Sequence, residues 1–117
     1  MEWQAEENAR RRTVLLEMSI TPLGKGDSVS QYVAECVDIV DKSGLDYELH
    51  AMGTIVEGEL GDVLDLMRRC IEHMAMHSDR VTCAAKVDYR RGRTGRLKTK
   101  VESVEQKLGR ELRKGNP

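Results

Sequence analysis

The chain has 117 residues, enough for one modest core and too few for two domains of ordinary size. Hydrophobic residues make 39% and charged residues 33%; no run approaches the roughly 20 apolar residues of a membrane span, and the polar opening MEWQAEENARRR lacks the apolar stretch of a secretion signal. A formal charge of −1 argues against a field that draws the protein to nucleic acid or anionic membrane, so a soluble, cytoplasmic domain is expected.

Residues 1–12 carry little apolar periodicity and read as an N-terminal extension to a single domain at 13–113. Alternation then begins, with Val14, Leu16, Met18 and Ile20 on one side of a strand and Leu15, Glu17 and Ser19 on the other. Pro22, Gly24 and Gly26 end it. A helix follows: Ser28 and Gln31 have capping-box spacing, and Val29, Tyr32, Val33, Cys36, Val37 and Val40 form an apolar stripe. Gly44 suits a left-handed cap at its end.

The segment LDYELHAMGTIVEG predicts strands near 46–51 and 53–58, joined by a tight hairpin around Ala51–Gly53. GELGDVLDLMRRCIEHMAMHS predicts a second helix, with Leu60, Val63, Leu64, Met67, Cys70, Ile71 and Met74 tracing its buried face. RVTCAAKVDY alternates again and predicts a fourth strand. Beyond it Leu97, Val101, Val104, Leu108 and Leu112 step by four and three along a final helix, a narrow seam suited to helix pairing. The order β-α-β-β-α-β predicts an α+β, ferredoxin-like domain: a four-stranded antiparallel sheet with two helices on one face, plus the C-terminal helix.

With helices over the Val14/Leu16/Met18/Ile20 side, the other sheet face carries Leu15, Glu17, Ser19, Glu48, His50, Thr82, Ala84, Lys86 and Asp88. On this face His50 reads as a surface or interface residue. The third strand adds either Thr54 and Val56 or Ile55 and Glu57. Such a face is either a solvated surface or a polar floor for a small heterocycle, partly covered by another subunit. Glu17 with Glu57 or Asp88 could make an acid–base pair, but no nucleophile accompanies them, so no catalytic residue and no enzyme activity is assigned. His73 and His77 are spaced to hold one metal ion, yet no third donor is evident; they are read as solvent-facing, and no metal is expected.

Cys36, Cys70 and Cys83 are odd in number and match no zinc or redox spacing, which makes them small buried hydrophobes. The loop GKGDS lacks the Walker pattern. Arg90, Arg91, Arg93, Arg96, Lys98 and Lys100 crowd a short basic run that could contact phosphate or acids of a partner chain. RNA-reading sheets of this plan stack bases on aromatics, but here those positions hold Glu17, Ser19, Lys86 and Asp88, so nucleic acid is not the expected partner.

Several motifs recur in one order across about residues 13–110. They are E-M-S-I-T-P-L-G at 17–24, S-V-S-Q-Y-V-A at 28–34, S-G-L-D-Y-E-L at 43–49 and M-G-T-I-V-E-G-E at 52–59. R-V at 80–81, K-V-D at 86–88, R-R at 90–91 and K-V-E-S-V-E at 100–105 follow. In this combination the chain resembles the small thiamine-binding family, the MTH1187/YkoF-like proteins. The resemblance implies a ferredoxin-like subunit in a homo-oligomer, typically a tetramer built as a dimer of dimers. It also implies non-catalytic binding of thiamine or its hydroxymethylpyrimidine moiety, for storage, buffering or delivery, with no cofactor required.

On this chain the implied ligand-binding residues are Glu17, Ser19, Met52, Thr54, Glu57 and Lys86. Glu57 or Glu17 would accept from the pyrimidine amine, Thr54 or Ser19 would bond a ring nitrogen or the hydroxymethyl group, and Met52 would pack on the ring. The alternative is a structural or regulatory oligomer with no small-molecule ligand, in which these groups serve subunit contacts.

Overall fold

The computed structural model describes residues 12–26, 29–92 and 94–113. The alternating segments form four strands, β1 (Thr13–Pro22), β2 (Asp46–His50), β3 (Gly53–Glu59) and β4 (Val81–Tyr89). The amphipathic segments form three helices, α1 (Ser30–Lys42), α2 (Leu60–Ala75) and α3 (Arg96–Leu108). The strands make one antiparallel sheet in the order β2-β3-β1-β4, and the chain has the expected ferredoxin-like α+β fold. Among the described residues no helix is long and apolar enough to cross a membrane.

Alternation sorts β1 cleanly: Val14, Leu16 and Met18 are buried under α1 and α2, while Glu17 and Ser19 are exposed. The core adds Val56 from β3, Cys36 and Val40 from α1, and Val63, Leu66, Cys70 and Met74 from α2. Each fully buried aliphatic side chain here contributes about 1.5–3 kcal/mol relative to its exposed state.

The buried stripe of α2 differs from the expected one at one position. Leu66 is 1% exposed, whereas Leu64 is 40% exposed. Steps of three and four from Val63 reach Leu66, Cys70 and Met74, and Leu64, a single residue beyond Val63, turns about 100° away from them. α2 also ends at Ala75 rather than running on to Ser78. The buried Ser78 instead ties the exit of β1 to the entry of β4, since its hydroxyl lies 2.6 Å from the Leu23 carbonyl and 2.8 Å from that of Arg80.

α1 begins after Val29 without a side-chain cap; Ser28 of the expected capping box lies outside the described residues, as do residues 1–11. Gly44 takes the left-handed conformation expected of it, at φ 80°. The hairpin between β2 and β3 turns at Ala51 and Met52, as expected.

α3 lies against the sheet face opposite α1 and α2 and touches β3 and β2. Its apolar seam is only partly covered: Leu97 and Leu112 are half-buried, whereas Val101, Val104 and Leu108 are 36–53% exposed. The basic run is partly neutralised within the chain, since Arg96 and Lys100 both pair with Asp88. Arg93 lies outside the described residues.

Candidate functional site

Successive residues of G-T-I-V-E-G serve different neighbours because β3 is covered on both faces. At Gly53 a Cβ would stand 2.7 Å from the Met18 carbonyl oxygen, so β1 approaches closer than any side chain permits. Thr54 pairs with Met18 and Val56 with Leu16, which places both under α1 and α2. Ile55 and Glu57 pair with Glu17 and Leu15 and belong to the opposite face, so the register settles the alternative left open by the sequence. At Gly58 a Cβ would meet Leu45 at 3.1 Å and Val63 at 3.2 Å; the glycine lets α2 settle on the strand.

Where the hairpin leans away from α1 it leaves a cavity of about 280 Å³. β1 lines it with Met18, Ser19, Ile20 and Thr21, and the hairpin lines it from Leu49 to Thr54. α1 supplies an apolar wall of Val33, Val37 and Val40, together with Cys36, and Val29 at its cap position extends it. The expected α1 stripe is therefore divided: Cys36 and Val40 reach the core, and its other edge walls the cavity. Of its polar lining residues Thr54 lies on the helix-covered face of the sheet, whereas Ser19, Thr21 and His50 belong by alternation to the other face and border the cavity at its hairpin end. Thr54 is 7% exposed, and none of the described residues accepts from or donates to its hydroxyl. Met52, 82% exposed, stands at the mouth. An apolar hollow with few polar lining residues, slightly smaller than the roughly 300–1,000 Å³ of drug-sized pockets, suits one small heterocycle.

The six expected ligand residues fall in three places. Ser19, Met52 and Thr54 line the cavity. Glu17 and Lys86 are cross-strand partners on the open face. His50 connects the two sites, because it lines the cavity while its Nε2 stands 3.7 Å from Glu17 Oε2. Sequence alone marks it only as a surface or interface histidine; its place beside the hairpin turn is the one hint of more.

Glu57 is placed apart from all of these. It is buried beneath α3, and its carboxylate accepts from the backbone N–H of Arg96 at 2.8 Å and of Leu97 at 3.3 Å. Gly95, at the cap position, has no side chain to do this, so a strand residue caps the helix from across the fold. Asp88 completes the anchorage. Lys100 and Arg96 bond its carboxylate and hold its pKa down to about 2.

The three cysteines are free; Cys36 and Cys70 are buried as expected, whereas Cys83 on β4 is only partly buried because no helix fully covers that edge strand. Each sulfur lies 3.9 Å from the other's backbone carbonyl oxygen across the α1–α2 contact. Hydrogen bonding to Cys70, with burial, raises the Cys36 thiol, which keeps it protonated and inert. The reading of His73 and His77 as solvent-facing and without a third donor is corrected by α1. Glu35 lies 3.4 Å from His73 Nε2 and 3.8 Å from His77 Nε2, and all three side chains are only about a third exposed.

The sequence profile of the family described as "Thiamine-binding protein" matches residues 16–105. UPF0045 protein MJ1052 of Methanocaldococcus jannaschii is 36% identical over 93 residues, covering 80% of this chain and 93% of the relative. UPF0045 protein Mb1933 of Mycobacterium bovis is 38% identical over 97 residues, covering 82% and 95%. The crystal structure of MJ1052 superposes with a TM-score of 0.76 at 35% identity, covering 81% of this chain and 98% of that one. A Thermotoga maritima protein provisionally described as a thiamine biosynthesis/salvage protein shares the fold, with a TM-score of 0.69 at 19% identity over 79% of this chain and 98% of that one.

Proposed function

Because the chain belongs to the thiamine-binding protein family, we propose that it binds thiamine or the hydroxymethylpyrimidine moiety without chemical turnover, in the cavity between α1 and the β2–β3 hairpin. The observation that carries this reading is Thr54, a buried residue without a hydrogen-bond partner among the described residues, lining an apolar hollow. An aminopyrimidine is flat and apolar on its faces and carries donors and acceptors on its edge. The valines along α1 suit the faces, Thr54 suits a ring nitrogen or the hydroxymethyl group, and Met52 covers the mouth, with Ser19 at the edge of the cavity. Glu17 and Lys86 lie beyond His50 on the open face, where Glu17 favours a cationic thiazolium. Glu57 supports the site only indirectly, through α3. Storage, buffering or delivery is the role that such binding serves.

Calorimetric titration with thiamine and, separately, with hydroxymethylpyrimidine tests the proposal. Saturable binding should weaken about tenfold in Thr54→Val, which keeps the shape and removes one hydrogen bond. The absence of heat with both compounds would sink it.

The exposed seam of α3 favours a second reading, a homo-oligomer whose helices pair and which needs no ligand. The two readings are compatible if ligand sites sit within a tetramer. Val104→Asp should move the protein to a smaller species on a sizing column, and unchanged elution would exclude α3 from the interface.

A further inference from the structure

Three side chains that the ligand reading does not use converge between α1 and α2, on the side of the α1–α2 pair away from the cavity. We propose that Glu35, His73 and His77 form a site for a zinc-class divalent cation, with three protein ligands and an open position for water. His73 lies in the last turn of α2 and His77 in the tight turn just past its end, where the His77 N–H bonds the Met74 carbonyl, and Glu35 of α1 stands within reach of both imidazoles. Their donor atoms all lie within 4.8 Å of one another.

The spacing is that of a coordination sphere. Zinc binds imidazole nitrogen and carboxylate oxygen at about 2.0–2.2 Å, so two corners of its tetrahedron stand roughly 3.3–3.6 Å apart. Glu35 Oε1 is 3.4 Å from His73 Nε2 and 3.8 Å from His77 Nε2. The two edges that Glu35 makes thus lie within a few tenths of an ångström of those a tetrahedral ion requires, and the His73–His77 edge lies within 4.8 Å.

The hydrogen bonding points the same way. Glu35 Oε2 and His73 Nε2 are buried atoms that make no hydrogen bond. Leaving such atoms without partners in a protein interior is costly, and a cation held by Glu35 Oε1 and His73 Nε2 would satisfy the imidazole nitrogen. The surroundings hold the rings in place: the Tyr32 ring lies 5.4 Å from that of His77, and the two imidazoles meet edge-on at 5.2 Å. His77 is the more exposed of the two histidines, at 36% against 29%, which leaves its side open to a water ligand. Two nitrogens and one carboxylate oxygen are borderline donors and suit zinc over magnesium or calcium, which prefer all-oxygen shells. A cation here would clamp α1 to α2 and stiffen the helix that walls the cavity.

The test is titration of chelator-treated full-length protein with zinc chloride, in parallel with cobalt(II), whose visible spectrum reports coordination geometry. One zinc per chain should bind, cobalt should show the intense bands of a tetrahedral site, and zinc should raise the melting temperature. His77→Gln and Glu35→Gln should each weaken zinc binding by more than the 10–100-fold that loss of an outer partner costs. Circular dichroism of the metal-free variants confirms that they are folded. His50→Gln should bind as the wild type does, which separates the site from the third histidine. Absence of binding, or binding that persists in both His73→Gln and His77→Gln, would show that the cluster is an imidazole–carboxylate ion pair and overturn the proposal.

Discussion

Replacing Glu57 with alanine removes the acceptor that closes the N-terminus of α3. Glu57 is 7% exposed, and its carboxylate stands 2.8 Å and 3.3 Å from the Arg96 and Leu97 nitrogens. Neither Gly95 nor an acid in the first turn of α3 can replace it. A hydrogen bond to a charged group is worth about 1.5–3 kcal/mol, and loss of a helix cap typically costs about 1–2 kcal/mol. Because the second bond is long, the two together should be worth about 2 kcal/mol, near the lower part of that range. At an unfolding entropy of about 2.1 cal/mol/K per residue, this lowers the melting temperature of a chain of this length by roughly 8 °C. Glu57→Gln keeps one acceptor but turns an amide donor toward the other N–H, so it should cost about half as much.

The assay is thermal or urea unfolding at one fixed protein concentration, because assembly would otherwise shift the midpoint. Amide exchange provides the local measure. Lys98 and Thr99, whose N–H groups bond the Gly95 carbonyl at 3.3 Å and 3.1 Å, should exchange faster in the variant, and the β1 amides much less so. Thiamine binding should be largely kept, because Glu57 does not line the cavity. An unchanged midpoint with unchanged α3 exchange would refute the capping role. Loss of ligand binding in a fully stable Glu57→Gln protein would return the carboxylate to the ligand site.

Gly53→Ala should destabilise the protein and weaken ligand binding together, because the added Cβ meets a backbone oxygen at 2.7 Å and must push β1 from the hairpin beside the cavity; equal stability to wild type by urea unfolding would contradict this close approach. Leu66→Ala should cost about 2–5 kcal/mol, whereas Leu64→Ala should cost under about 1 kcal/mol, and comparable values would mean that the buried stripe of α2 is misplaced. Asp88 has a folded pKa lowered to about 2 from an ordinary value of 3.8, so its contribution is complete above the ordinary value and is lost as pH falls through the folded one. Between about pH 4 and pH 2 the wild type should lose α3 protection more steeply than Asp88→Asn, and superimposable profiles would remove the Lys100 and Arg96 pairings from the account.

Much of the fold is legible in the sequence because its signals are local. The period-two runs at 13–22 and 81–89, the period-3.6 stripes of α1 and α2, and Gly44 at a helix end each state a backbone preference that the fold realises. β4 nonetheless leaves Val87 and Tyr89 exposed where the alternation points inward. Leu64 and Leu66 are harder to tell apart, because both are leucines close to the stripe and only the direction from which the sheet approaches decides which is covered. The motif M-G-T-I-V-E-G likewise marks an unusual strand without indicating what each residue faces.

By itself, then, the sequence determined the order of elements, the ferredoxin-like plan, the family and the identity of most core residues, since periodicity is inscribed in neighbouring positions. Tertiary structure alone decided the register that sends Thr54 to the cavity and Glu57 to α3, because a shift of one residue exchanges the two faces of a strand. It also brought Glu35 to His73 and His77, and Asp88 to Arg96 and Lys100. Those groupings depend on how helices and sheet come together across tens of residues, a relation that no local pattern of side chains encodes.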